Sequence, residues 1–216
     1  MTSTLAQALR EQNEAARANI PAQTLAVMDA AAAALEASHL AERSLAVGAA
    51  APDFSLPDAK GDTVVLSKLL IEGPVVLSFY RGGWCPYCNI QLKTLQNRLG
   101  DITAAGGRLV AVSPQTPDNS LSTAEKHGLA FPVLSDVGNA VARSYGLVFT
   151  LADDLRPIYD GWGLDLPAAN GDESFELPLP ATFVIRTDNT VAWRFADADY
   201  TKRAEPDDVV AALRAL

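Results

Sequence analysis

Val75-Val76-Leu77-Ser78-Phe79-Tyr80-Arg81-Gly82-Gly83-Trp84-Cys85-Pro86-Tyr87-Cys88 is the stretch whose reading decides the fold. Its first six residues form a near-continuous apolar run, which suits a strand buried on both faces. Gly82 and Gly83 then supply a tight turn. A Cys-x-x-Cys opens a helix that continues through Ile90–Leu99, with Leu92, Leu95 and Leu99 on one face. The first turn of a helix carries unpaired N–H groups and the positive end of the dipole. A thiolate placed there is stabilised, so its pKa falls and more nucleophile exists near neutral pH. Pro86 suits the early helix and stiffens the link between the sulfurs. The two-residue spacer lets Cys85 and Cys88 close and reopen a disulfide.

Outward from this corner, Gly106-Gly107 ends the helical unit and Leu109–Ser113 reads as a second buried strand. Strand, helix and strand in that order make a right-handed parallel crossover. A helix near 117–127, a short strand at 131–135 and a helix near 138–145 follow. Residues 150–178 read as an irregular insertion rich in Asp, Pro and Gly. Thr182–Ile185 and Val191–Phe195, joined through Asp188-Asn189, form a hairpin, and a last helix runs from Pro206 to Leu216. Upstream, 51–57 and 63–66 are short strands around the turn residues Asp58–Asp62. The expected architecture is α/β, a central mixed sheet flanked by helices.

Residues 1–46 differ from the rest. Through Val47 there is no glycine, no aromatic residue and only Pro21 among the prolines. Leu5, Leu9 and Ala16 share one helical face, and Leu25, Met28, Ala32 and Leu35 another. Two helices, about 4–18 and 22–40, are expected, with Pro21 at the first position of the second. They form a helical extension before a domain spanning 47–216. Either they cover their own domain, or they act as a lid or a homodimerisation arm.

The 216 residues carry 17 Lys+Arg against 26 Asp+Glu, a formal charge of −9. That balance argues against nucleic acid as a partner, because such proteins cluster positive charge to displace counterions. No segment is long and apolar enough to span a bilayer, and Met1–Arg10 lacks the pattern of a secretory leader. A cytoplasmic protein is the expectation. A close Cys pair in a reducing compartment reads as redox-active or metal-binding. Zinc normally needs four ligands, and the two histidines, His39 and His127, are far apart in sequence, so no metal is expected. No phosphate-binding loop or dinucleotide fingerprint is present, so no organic cofactor is expected.

The corner around Cys85 resembles the active site of the thioredoxin superfamily, and more closely the peroxiredoxin-like branch of the alkyl hydroperoxide reductase/thiol-specific antioxidant family. Val47-Gly48 with Ala51-Pro52-Asp53-Phe54, Val110–Pro114 and Leu179–Ile185 agree with it. The resemblance covers about 47–216 and implies a thioredoxin-like fold. It also implies a thiol-dependent peroxidase acting on hydrogen peroxide or organic hydroperoxides, recharged by thioredoxin or another dithiol. Two departures stand out. The family's Thr, three residues before its peroxide-attacking Cys, falls on Cys85, and the attacking position falls on Cys88. Its peroxide-polarising Arg falls on Pro180, where thioredoxins carry a cis proline. Pro180 is therefore expected to be cis, Trp84 to shield the sulfurs, and Arg81 either to supply the missing charge or to sit in solvent. Helix-tip exposure favours Cys85 as the attacking sulfur, whereas family register favours Cys88. A protein disulfide reductase and a non-enzymatic thioredoxin-fold module are the alternatives. Tyr200–Arg203 reads as a solvated turn.

Overall fold

A computed structural model describes residues 4–216. Met1–Ser3, the start of the segment read as lacking a leader, lie outside the described residues. The chain begins with α1 (Leu5–Ala18), α2 (Ala22–Ala37) and α3 (Leu40–Arg43). The hairpin β1 (Ser55–Pro57) and β2 (Thr63–Val65) leads into α4 (Leu66–Glu72). Then come β3 (Val75–Phe79), α5 (Pro86–Asn97), α6 (Leu99–Ala104), β4 (Arg108–Ser113), α7 (Pro117–His127), β5 (Val133–Ser135) and α8 (Ala140–Ser144). The last part holds β6 (Val148–Thr150), α9 (Arg156–Gly161), α10 (Leu166–Asn170), β7 (Glu176–Pro178), β8 (Ala181–Ile185), β9 (Val191–Ala196) and α11 (Pro206–Arg214).

The central sheet runs β5-β4-β3-β8-β9. β3, β4 and β5 are parallel, and β8 joins β3 and β9 antiparallel, so the sheet is mixed. Side chains alternate across it. Val75, Leu77 and Phe79 of β3 face a core shared with Leu66, Tyr145 and Phe183. Val76 and Tyr80 face the opposite core, which holds both cysteines, Leu92 of α5 and Val209 of α11. Phe79 pairs with Val112 on one side and Ala181 on the other. The carboxyl end of β3 therefore opens onto the start of β8, which brings Pro180 to the turn that carries Arg81.

Both N-terminal helices lie where their periodicity places them, and they pack differently. Leu5 and Leu9 of α1 are buried in the cysteine-side core. No residue of α2 is fully buried. Pro21 is the residue before α2 rather than its first helical residue. Beyond Asn97, Arg98 bends the chain into α6, so the unit expected to end at Gly106-Gly107 is two helices rather than one.

The segment 150–178 is more ordered than its composition suggests. Pro157 and Pro167 start α9 and α10, where a missing N–H is harmless. The Asp165 side chain caps α10 by accepting from Ala168 N–H at 2.9 Å. β6 and β7 pair antiparallel, and Leu151, Tyr159, Leu166 and Leu177 make a small core of their own. Residues that punctuate loops serve here as helix starts.

Candidate active site

The site is built at the end of β3. Tyr80 N–H continues the ladder to Val112 C=O at 3.0 Å, and Cys85 N–H closes the turn on Gly82 C=O at 3.1 Å. Both glycines are needed. Gly82 has φ +152°, and a side chain there would meet the Trp84 indole; one at Gly83 would collide with Thr123. The turn is tied down on two sides. Gly83 N–H donates to Gln115 Oε1 at 2.7 Å, and Asn89 Nδ2 donates to Gly83 C=O at 2.8 Å. Cys85 is the residue before α5, Pro86 is its exposed first residue, and Cys88 sits in the first turn.

Both sulfurs are sheltered, with Cys85 2% and Cys88 0% exposed, and both are free thiols. Arg203 Nη2 lies 3.4 Å from Cys88 Sγ. Burial works against charge on Cys88. The hydrogen bond from Cys85, the Arg203 charge, the Arg81 N–H and the Arg81 guanidinium outweigh it and hold Cys88 well below the ordinary thiol value. Burial and the Cys88 charge push Cys85 the other way. The surroundings thus favour negative charge on Cys88 over Cys85.

Arg81 points inward and is 3% exposed. Its guanidinium carbon lies 5.0 Å from the Trp84 ring centre, 4.9 Å from Tyr200 and 5.9 Å from Tyr159, and Nη2 donates to Tyr159 Oη at 2.5 Å. Aromatic faces carry negative potential and suit a desolvated cation. Burial opposes the charge, but Tyr159, Cys85 and Cys88 override it and raise the Arg81 pKa. Neither Arg81 nor Arg203 has a carboxylate partner among the described ion pairs. A cavity of about 330 Å³ reaches Cys85 between Trp84, Tyr87, Trp162 and Tyr200. A second, of about 420 Å³, runs under Met28 and Leu35 of α2 to Arg81 and Pro180. Met28, Arg81, Tyr159 and Tyr200 line both.

Several sequence expectations change here. Among the described residues there is no cis peptide bond, so Leu179–Pro180 is trans. Leu179 N–H bonds Leu147 C=O at 2.8 Å, and the chain passes extended from β7 into β8, so nothing forces the less stable isomer. Pro180 is buried beside Arg81 rather than opposed to the sulfurs by a cis bend. Arg203 is not in a solvated turn: it is 6% exposed and reaches Cys88. Trp84 packs edge-on to Tyr159 at 5.8 Å. Sequence reading did not single out Tyr159 or Gln115, and it set Tyr200 aside. Tyr159 and Tyr200 come from distant segments with no motif around them, Gln115 directly follows the family-like stretch Val110–Pro114, and only the fold brings them together.

The AhpC/TSA family model matches residues 47–194. A putative peroxiredoxin of Mycobacterium tuberculosis is 36% identical over 102 residues, covering 47% of this chain and 64% of that protein. A chloroplastic peroxiredoxin Q of Populus jackii is 34% identical over 100 residues, covering 46% of each. The chain thus spans less than two thirds of the length of these curated relatives. Among solved structures, peroxidoxin BcpB from Mycobacterium tuberculosis superposes with a TM-score of 0.62 at 26% identity, covering 79% of this chain and 97% of its own. With its mixed five-stranded sheet and its cysteine corner at the end of β3, the chain belongs to the AhpC/TSA family.

Proposed function

We propose that the protein is a thiol peroxidase in which Cys88 is the attacking sulfur and Cys85 the resolving one. The observation that carries this reading is the environment of Cys88, where Arg203, Arg81 and the Cys85 thiol converge on one buried sulfur. In the reaction, the Cys88 thiolate attacks the outer oxygen of a hydroperoxide. The O–O bond breaks, the alkoxide or hydroxide leaves with the bonding pair and takes a proton, and Cys88 becomes a sulfenic acid. Cys85 then attacks that sulfur, an S–S bond forms and water leaves. A dithiol donor such as thioredoxin returns both cysteines to thiols and is itself oxidised. A reducing compartment such as the cytoplasm would keep such a donor available.

Arg81 and Arg203 stabilise the thiolate and the charge that develops on the leaving oxygen. Trp84 closes one wall, Pro86 fixes the start of the helix, and Pro180 shapes the floor beside Arg81. Residues 47–216 carry this chemistry, and the helices within 4–46 form an arm over its mouth. A homodimer through that arm would have to use α2, because the leucines of α1 are buried in their own chain; light scattering tests it.

The decisive experiment is stopped-flow peroxide consumption by Cys88→Ser and Cys85→Ser, beside an assay of insulin disulfide reduction. The reading requires that Cys88→Ser is inactive and Cys85→Ser completes a single turnover. The reverse pattern would exchange the two roles, and insulin reduction without peroxide consumption would favour a disulfide reductase.

A further inference from the structure

We propose that the first turn of α1, acting through Glu205, holds Arg203 in place against the Cys88 sulfur, which makes the N-terminal helix a positioning element of the redox site. This rests on the reading of Cys88 as the reacting sulfur. The first N–H groups of a helix have no partner within it. In α1 those of Leu5, Ala6 and Gln7 are taken from outside the helix ladder. Gln7 N–H goes to the Thr4 hydroxyl at 3.2 Å. Ala6 N–H donates to Glu205 Oε1 at 2.6 Å, and Leu5 N–H to Glu205 Oε2 at 3.3 Å. Glu205 stands at the cap position of α11 but makes no side-chain bond to that helix. Its carboxylate instead faces the positive end of α1, which has no acidic residue of its own in that turn.

Two positions before Glu205, Arg203 has no carboxylate to orient it. Its Nη1 donates to the carbonyls of Tyr200 and Lys202, its Nε has no partner, and Nη2 meets Cys88. The guanidinium is thus held by the backbone of the very loop that carries it, and its aim depends on where that loop is fixed. One end is fixed locally, by Thr201 N–H on Asp199 Oδ1 at 2.9 Å. The other end is fixed by Glu205 on α1. Ala204, between the two residues, is buried in the same core as Leu5, Leu9 and Cys88. A second link runs in parallel. Tyr87 Oη donates to Asn13 Oδ1 of α1 at 3.1 Å, and the Tyr87 ring meets Tyr200 edge-on at 5.4 Å. Both α1 and the Arg203 loop lie outside the family-matched residues 47–194, so the two ends of this chain build the device between them.

The test uses full-length protein carrying Cys85→Ser, which leaves one thiol and keeps a donor beside it. Cys88 is titrated by ultraviolet thiolate absorbance and by its alkylation rate across pH. The charged and titratable groups around it are Arg81, Arg203, Tyr80 and the residue at position 85, with Tyr87 and Tyr200 behind. Arg203→Gln is expected to raise the midpoint by about one to three units. Glu205→Gln is expected to raise it by about one unit, slowing alkylation about tenfold at pH below the midpoint and little above it. In the Arg203→Gln background, Glu205→Gln adds no further shift. Glu205→Asp, which retracts the carboxylate from α1 while giving α11 a better local cap, shifts in the same direction and guards against a folding failure. A Glu205→Gln protein that melts earlier but titrates unchanged overturns the proposal, as does a shift that adds in full to that of Arg203→Gln. None of these readouts uses peroxide, so loss of the peroxidase reading and loss of this one are separately visible.

Discussion

The Arg81 guanidinium donates to the Tyr159 hydroxyl at 2.5 Å across 78 positions of sequence. One partner comes from the turn before the cysteines. The other comes from α9, inside the segment whose composition suggests a loop. This contact fixes an arginine that the sequence alone leaves free to face either way, and it ties α9 to the redox corner.

Removing the Tyr159 hydroxyl should therefore act at a distance from the sulfurs. Tyr159→Phe leaves a buried guanidinium donor without its acceptor, a loss of about 1.5–3 kcal/mol for a bond to a charged group. The expected outcome is a lower Tm together with slower peroxide consumption. An unchanged rate would show that Arg81 is held by its aromatic neighbours alone.

The lowered pKa of Cys88 sets the pH profile of its reaction. A thiol titrating well below its ordinary value keeps its charge to lower pH and loses it only as pH falls through the lowered value. In Cys85→Ser, single-turnover peroxide consumption should be flat through neutral pH and decline on the acid side. A rate that climbs through the range of an ordinary thiol would contradict this assignment.

Stabilising the thiolate also stabilises the reduced pair, so the disulfide should be a comparatively strong oxidant. Closing the S–S bond removes the anion that faces two buried guanidiniums. Arg81→Met relieves part of that cost. Its reduction potential, measured by equilibration with glutathione, should be more negative than that of the unaltered protein. A shift in the other direction would mean that Arg81 does not act on the pair electrostatically.

Gly83 is a packing requirement with a second-site test. A methyl group at this position collides with Thr123 of α7, and overpacking of this kind costs about 1–3 kcal/mol. Gly83→Ala should lower Tm, and Thr123→Ala in the same chain should recover most of the loss. Additive destabilisation in the double variant would point to strain in the turn itself.

Leu9 tests how firmly α1 belongs to the molecule. It is 3% exposed and shares a core with both cysteines. Leu9→Ala is expected to cost about 2–5 kcal/mol in chemical denaturation, in one cooperative transition. A negligible loss would make α1 a loosely attached appendage.

Period and punctuation in the sequence determined the redox corner and the elements that frame it. A buried apolar run, two glycines and Cys-x-x-Cys specify strand, turn and helix within 14 residues, because each acts through its own backbone preferences. The amphipathic spacing of α1 and α2 and the paired strands β8 and β9 were legible for the same local reason. The isomer at Pro180 was not, because the context that selects it lies in β6 and β7. Nor was the order within 150–178, where Pro and Asp are ambiguous between loop and helix start until a small core around Tyr159 selects the helix. Only the tertiary structure shows which sulfur faces the buried arginine Arg203. Local position favours the tip of the helix, but electrostatic stabilisation depends on distance in space, and Arg203, whose guanidinium lies 3.4 Å from the Cys88 sulfur, is 115 residues away in sequence.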